Sequence, residues 1–388
     1  MLSLADYIRI PLKRAQHNEY FQYMDRHIYN YLTEQGLKQA PINDETAKAV
    51  LSDDTVELLP LLNAAYEVRK KFVGKQVAVH VINNAQNGYC PEDCHYCAQA
   101  KTSNADIEAY PLKSDREILA EAQNAYEKGA YRYCMVFAGR GPTQARVEHL
   151  ARLIRSIKSQ FPIEVCVSTG LLDAEKAKIL KDAGLDRLNH NLNTSKSHYP
   201  NICTTHTHAD RLNTLQAARE AGLQLCSGVI LGMGEGVDDI LETAYTLREI
   251  KAESIPVNFY IPIHGNKLED SHKLSPEYCL RALCLYRFLN PAAEIRIAAG
   301  RELHLRSLEV MALYPANSLF LDGYLNARGE ARRRTFQMIK DAGFTIQSEQ
   351  NLDELIEGEQ VKPKDGKRDL VSQTLLKDLK ELRPHFMR

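Results

Sequence analysis

No apolar run in this 388-residue chain approaches the ~20 residues that a helix needs to cross a bilayer, so no membrane role is expected. Neither charge is in excess. With 49 basic and 50 acidic residues the net charge is −1, which removes the electrostatic basis for general nucleic-acid binding. The N-terminal stretch MLSLADYIRIPLKR has no small-residue cleavage site and carries Asp6 inside its apolar part, so it does not read as a secretory leader. Full GxGxxG and Walker patterns are also missing. GRGP (139–142) and GMGEG (232–236) are Gly-rich turns after strands and only weak signals for nucleotide phosphate.

Cysteine, by contrast, is plentiful. Nine cysteines without an export signal point to a reducing cytoplasm, where thiols bind metal or do chemistry. The odd count fits poorly with a complete set of disulfides. Three of them, Cys90, Cys94 and Cys97, stand together in NGYCPEDCHYCAQA. A structural zinc site usually takes four ligands and a redox dithiol takes two. Three thiolates on a tight loop suit an iron–sulfur cluster with one iron left open.

Residues 1–75 read as a helical extension, with Phe21, Met24, Ile28 and Leu32 at helical spacing and Asp44 as a helix N-cap. From residue 76 short β-branched runs alternate with amphipathic helices, several of which stop at glycine, as at Gly129, Gly184 and Gly222. Eight strands are expected within VAVHVIN, YRYCMVFA, IEVCVST, DRLNHNL, LQLCSGVIL, SIPVNFYI, EIRIAA and NSLFLD. The fold class is therefore α/β, with a parallel (β/α)8 barrel over 76–345; a doubly wound open sheet is the alternative. Residues 346–388 read as a charged tail, a linker followed by one exposed helix in LVSQTLLKDLKELR.

Side chains alternate faces along a strand, and a barrel strand keeps its apolar face for the covering helices. The inward faces then carry Cys134, Cys166, Cys226, Asn189, Asn191, Asn193 and Arg296. Burying these groups is costly unless they bind something, so three thiols and one guanidinium from four strands form a second candidate ligand set. A lone strand cysteine is more often a small buried hydrophobe, and Cys203, Cys279 and Cys284 are read that way. His206 and His208, in THTH, are read as solvated loop histidines rather than metal ligands.

CxxxCxxC with an aromatic residue before the third cysteine resembles the signature of radical S-adenosylmethionine (SAM) enzymes. GYCPEDCHYCAQA, YCMVFAGRGP, NHNLNTS, CSGVILGMGE, SIPVNF and IRIAAGRE, in that order over about 76–345, resemble the biotin synthase family. The resemblance implies that Cys90, Cys94 and Cys97 hold a [4Fe–4S] cluster. It implies that Cys134, Cys166, Cys226 and Arg296 hold an auxiliary [2Fe–2S] cluster. It places Tyr96, Asn191, Asn193, Arg211 and Ile230 on SAM, and Asn191 and Asn258 on the substrate. The two Gly-rich turns would let the backbone pass close to SAM. Many family members carry Asp where this chain has Asn193; the amide can still bond a ribose hydroxyl but removes a charge.

The implied reaction inserts sulfur into dethiobiotin. SAM is cleaved reductively to methionine and a 5′-deoxyadenosyl radical, and the sulfur comes from the [2Fe–2S] cluster. Reduced flavodoxin or ferredoxin would supply electrons to a cytoplasmic homodimer. Two rival readings stay open on sequence alone. One is a related radical SAM enzyme with another small substrate, and the other is a non-catalytic iron–sulfur or zinc protein.

Overall fold

In a computed structural model, residues 27–268, 274–359 and 366–386 are described. Nine strands form the barrel wall. They are β1 (Gln76–Gln86), β2 (Arg132–Phe137), β3 (Glu164–Ser168), β4 (Arg187–Asn189), β5 (Gln224–Cys226), β6 (Val229–Leu231), β7 (Ser254–Phe259), β8 (Glu294–Ile297) and β9 (Ser318–Phe320). All pairings are parallel, and β9 returns to β1 with Ala78 opposite Ser318, so the sheet closes. β5 and β6 are two halves of one barrel strand. Each of the eight stretches read from sequence lies on this wall, and the open-sheet alternative is excluded by closure.

The split between β5 and β6 has a local cause. Both halves pair with β7, Cys226 opposite Ser254 and Val229 opposite Val257. Pro256 lies opposite the gap and has no N–H to give. Gly228 fills the gap because a Cβ there would stand 1.9 Å from the Pro256 carbonyl oxygen.

Helices Asp115–Glu127, Gln144–Gln160, Ala174–Asp182, His208–Glu220, Val237–Glu249 and Pro276–Leu289 cover the barrel. Their starts follow from sequence. Ser114 and Glu117 form a reciprocal cap, as do Thr207 and Asp210. The apolar strand faces, such as Val77, Val79, Val165, Val167, Ile295 and Ile297, are fully buried against these helices. Each buried aliphatic side chain contributes roughly 1.5–3 kcal/mol of apolar transfer.

The N-terminal segment packs on the barrel through helices Asp44–Ser52 and Leu58–Val73, which lie against Pro276–Leu289. The first is capped by Asn43, which accepts from the Thr46 amide, and not by Asp44 as expected. Buried Arg69 donates to the Ala316 and Gln76 carbonyls at 2.9 and 2.8 Å. Of the expected first helix, residues 27–37 are helical; Phe21 and Met24 lie outside the described residues, as do Asp6 and residues 360–365 of the expected linker.

The C-terminal end differs from expectation. A hairpin, β10 (Gly323–Tyr324) and β11 (Ala327–Arg328), precedes helix Arg332–Asp341. β12 (Thr345–Ile346) then pairs with the start of β1, and helix Leu352–Gly358 follows. The stretch 370–383 is not one exposed helix; only Leu379–Leu382 is helical. Asp369 accepts from the Val371 and Ser372 amides, a turn that competes with helix formation. Leu376 then bridges to Ala327 of β11, and Arg383 pairs with Glu117 at 2.8 Å.

Candidate active site

The polar inward faces stack in layers, as barrel geometry requires. The lowest layer is an ion-pair plug. Arg132 donates to Glu294 at 3.0 Å and to Glu164 at 2.6 Å, and Arg187 reaches Glu294 at 3.3 Å. Ser254 and Ser318 each donate to Glu294 at 3.0 Å, and His80 lies 3.1 Å from it. Burial would raise the Glu294 carboxyl, but Arg132 and Arg296 outweigh burial and hold it well below the carboxylate range. Burial, with Arg296 next, pushes His80 well down, so its imidazole is neutral.

The middle layer holds the interior thiols. Cys134 and Cys166 are register partners on β2 and β3, and Cys226 ends β5. Cys134, Cys166 and Cys226 pack together with Phe320 and Ala298, all buried. Asn189 donates to the Cys226 sulfur at 3.3 Å. Arg296 spans two layers. Its Nε donates to Ser318 at 2.9 Å and its Nη2 to Ser254 at 2.7 Å and to Glu294, while Nη1 points to the Cys226 sulfur at 3.6 Å. The guanidinium thus meets both a carboxylate and a thiol. The Cys134 thiol is pulled below the ordinary value by its hydrogen bond with Cys166 and then by Arg296. A gap of about 20 Å³ lies among Cys134, Cys166, Arg296 and their neighbours.

Above it a cavity of about 270 Å³ opens at the C-terminal ends of the strands. Cys90, Cys94 and Cys97 line it together with Tyr96, Asn191, Asn193, Arg211, Ile230 and Asn258. The loop and strand residues singled out from sequence therefore meet in one cavity. Burial pushes the Cys97 thiol up to about 11. Cys94 is raised too, by its contact with Cys203 and then by burial. Asn193 sits at φ 71°, a conformation that Asn tolerates, and donates to the Tyr96 hydroxyl at 2.6 Å. Arg211 donates to the Asn191 carbonyl at 2.8 Å. Asn258 donates to the Val229 carbonyl at 2.8 Å and accepts from the Ala299 amide at 3.1 Å, which fixes its plane against the wall.

The cavity and the thiol gap share a wall made by Val136, Ser168, Asn189, Asn191 and Tyr324. A molecule in the cavity therefore has the loop thiols on one side and the interior thiols behind Asn191.

Some participants escaped the sequence reading. Tyr324 and Asn326, from the β10–β11 hairpin, line the cavity, but no motif marked that hairpin. His206 and His208 are buried, at 7% and 6% exposure, and are not solvated. His206 lies under Cys94 beside Cys203, and His208 packs on Tyr199. Cys203 is buried as expected, but in polar company. Of the two Gly-rich turns, GRGP contributes Gly139 and Arg140 to the cavity. GMGEG does not line it, because Glu235 closes that turn on the Gly232 and Met233 amides.

The Radical SAM superfamily description matches residues 87–247, and the Biotin and Thiamin Synthesis associated domain matches 256–345. The biotin synthase of Acaryochloris marina is 59% identical over 307 residues, 79% of this chain and 89% of that one. That of Magnetococcus marinus is 58% identical over 298 residues, 77% of this chain and 93% of that one. The chain belongs to the biotin synthase family. Among solved structures it resembles methylornithine synthase at TM-score 0.70 and 18% identity, covering 83% of this chain and 98% of that one. The likeness to the FeFe-hydrogenase maturase HydG from Carboxydothermus hydrogenoformans is also 0.70 at 18%, covering 87% and 84%. At that identity these two speak to the fold alone.

As a biotin synthase family member it is an enzyme of sulfur insertion, and its radical SAM domain implies a [4Fe–4S] cluster and SAM. The residues present fit that cluster. Cys90, Cys94 and Cys97 are all unbridged thiols, and they face the same cavity. Among the described residues no helix is long and apolar enough to cross a membrane.

Proposed function

We propose that this protein converts dethiobiotin to biotin, with the two thiol sets as separate cluster sites on either side of the substrate. Cys90, Cys94 and Cys97 would hold the [4Fe–4S] cluster, and Cys134, Cys166, Cys226 and Arg296 the auxiliary [2Fe–2S] cluster. The observation that carries this reading is the wall shared by the cavity and the thiol gap. Sulfur transfer needs the substrate within reach of both sets at once.

The interior set has the chemistry to hold an iron–sulfur group. Thiolates bind it, and three guanidinium ions (Arg132, Arg187 and Arg296) face two carboxylates (Glu164 and Glu294) directly beneath them. The neutral His80 adds no charge, so the one positive charge in excess is that of Arg296, which would be lost where its nitrogen binds iron as a neutral ligand. Arginine is an uncommon ligand because guanidinium is normally protonated. Arg296 nevertheless has Nε and Nη2 anchored and directs Nη1 to the thiols.

When bound, the [4Fe–4S] cluster and SAM supply a carbon radical, and the [2Fe–2S] cluster supplies sulfur. The chain's own residues bind and orient. Arg211 offers a cation to the SAM carboxylate, and Asn193 and Tyr96 shape the nucleoside side. Ile230 gives adenine an apolar surface. Asn258, fixed by two backbone bonds, retains one N–H and one lone pair for the ureido ring. Asn191 stands where substrate and SAM meet. The barrel walls exclude water and hold the reacting carbons in line. The reading includes reduced flavodoxin or ferredoxin as electron donor, a homodimer and a cytoplasmic location.

The test is anaerobic reconstitution with iron and sulfide, followed by product analysis with dethiobiotin, SAM and a reductant. Biotin together with 5′-deoxyadenosine is expected. SAM cleavage with no biotin would move the enzyme to another small substrate. Absence of both would sink the radical reading.

A further inference from the structure

Cys203 and His206 were given no role by motif, yet they stand against a loop thiol. Cys203 is 2% exposed, and its sulfur lies 3.8 Å from that of Cys94. His206 Nδ1 lies 2.6 Å from the Cys203 sulfur, and its Nε2 lies 3.0 Å from Arg211 Nη2. Among the described residues, Cys94, Cys203 and His206 are the one group of three His, Cys, Asp or Glu donors lying within 4.8 Å of one another.

Hydrogen positions follow from donor chemistry. A guanidinium can only donate, so His206 Nε2 accepts from Arg211. The neutral imidazole then carries its proton on Nδ1, which faces Cys203. That proton occupies the position a single metal ion would need, so the trio is better suited to hydrogen bonding than to mononuclear metal binding. In the thiol state Cys94 donates to Cys203. A Cys94 committed to iron as a thiolate has no proton to give, and a bond between the two sulfurs can then run only from Cys203. Asp93 Oδ1, 3.3 Å from Cys203, is the competing acceptor. It already receives the Thr204 amide at 2.9 Å and the Thr205 amide at 3.1 Å, while the Thr205 hydroxyl turns its proton to Glu92. Two amides occupy that oxygen, so the Cys203 proton can turn from Asp93 to a Cys94 thiolate.

We propose that Arg211, His206 and Cys203 form a directed hydrogen-bond relay onto Cys94 that makes the loop cluster easier to reduce. Cys203 and His206 are positioning residues in this relay, acting through Cys94. The inference rests on the reading of Cys90, Cys94 and Cys97 as cluster ligands. A hydrogen bond to a ligand sulfur stabilises the added electron and raises the potential. Arg211 also lines the cavity, so the relay connects the SAM pocket to the cluster that delivers its electron. A ligand that draws Arg211 away from His206 would weaken the chain of bonds at its head.

The test is a redox titration of the reconstituted protein followed by electron paramagnetic resonance, without SAM. Wild type, Cys203→Ala, Cys203→Ser and His206→Leu are compared for iron content and for the reduced-to-oxidised ratio at fixed potential. Cys203→Ala is expected to keep its iron while that ratio falls about 3- to 10-fold, the loss of one charge-assisted but sulfur-borne hydrogen bond. His206→Leu should fall in the same direction, and Cys203→Ser, which keeps a donor, should stay near wild type. An unchanged ratio in both Cys203→Ala and His206→Leu overturns the relay and leaves the cluster assignment standing. If Cys203→Ala does not fold, equal ratios in Cys203→Ser and His206→Leu overturn it. A wild-type protein that takes up no [4Fe–4S] cluster overturns the assignment on which the relay rests.

Discussion

At the foot of the barrel Glu294 collects hydrogen bonds from Arg132, Arg187, Arg296, Ser254 and Ser318, whereas at its mouth Cys90, Cys94, Cys97 and Asn191 face an open cavity. Both ends of the interior are polar, but the lower groups are spent on each other and the upper ones face a space. A buried polar group carries no functional message until its partners are counted. Arg296 sits on the boundary. Its Nη2 and Nε belong to the lower set, and its Nη1 to the thiols.

The comparison can be broken from either end. The largest effect is expected at the mouth. Cys94→Ala removes one of three loop thiols and should abolish 5′-deoxyadenosine formation while circular dichroism stays native. Cleavage at the wild-type rate would mean that this thiol is not a ligand. In the middle layer, Cys134→Ser should lose biotin formation entirely while the loop cluster still assembles and some SAM cleavage persists. Biotin at the wild-type rate would remove the interior thiols from the chemistry.

At the foot the expected loss is of stability. Glu294→Ala removes the carboxylate shared by three buried guanidinium groups, leaving Glu164 alone to face Arg132 and Arg187 and no carboxylate on Arg296. It should cost about 3–5 kcal/mol, read from urea or thermal unfolding. A loss below about 1 kcal/mol would show that the plug is not structural. The pH dependence has a definite sign. Because Glu294 is depressed, its contribution is fully present above the unfolded carboxylate value near 4.3 and is lost as pH falls toward its folded value. A Glu294→Gln variant should therefore show a flatter decline of stability below about pH 4.3 than wild type. Equal slopes would refute that. The smallest effect is at Asn193. Asn193→Ala should weaken SAM binding by roughly 0.5–1.5 kcal/mol, one ordinary hydrogen bond. Calorimetry showing unchanged affinity would take this side chain off SAM.

How much was legible depended on the period of the signal. Strand alternation and helix caps repeat locally, so all eight wall segments and their inward cysteines could be placed from the residues alone. The loop thiols were legible because three cysteines lie within eight residues. His206 was misread because burial is set by what folds over it, here Cys94 from a loop more than a hundred residues earlier. The helix expected over 370–383 failed for a related reason. Its apolar spacing is real, but Asp369 bonds its own backbone and Leu376 finds a partner in β11. The carboxylate and hydroxyl neighbours of Arg296 were half visible, since Glu294 shares its strand face, while Ser254 and Ser318 come from other strands.

Barrel closure has a consequence for biosynthesis. β1 is the longest strand and among the first to be made, yet one of its edges pairs with Ser318–Phe320, which is translated near the end. Until then that edge carries unpaired N–H and C=O groups beside Val77 and Val79, a template for strand addition from another chain. The pairing also has very long sequence separation, which slows folding. Chains truncated before residue 318 should therefore accumulate as insoluble aggregates rather than as smaller soluble domains.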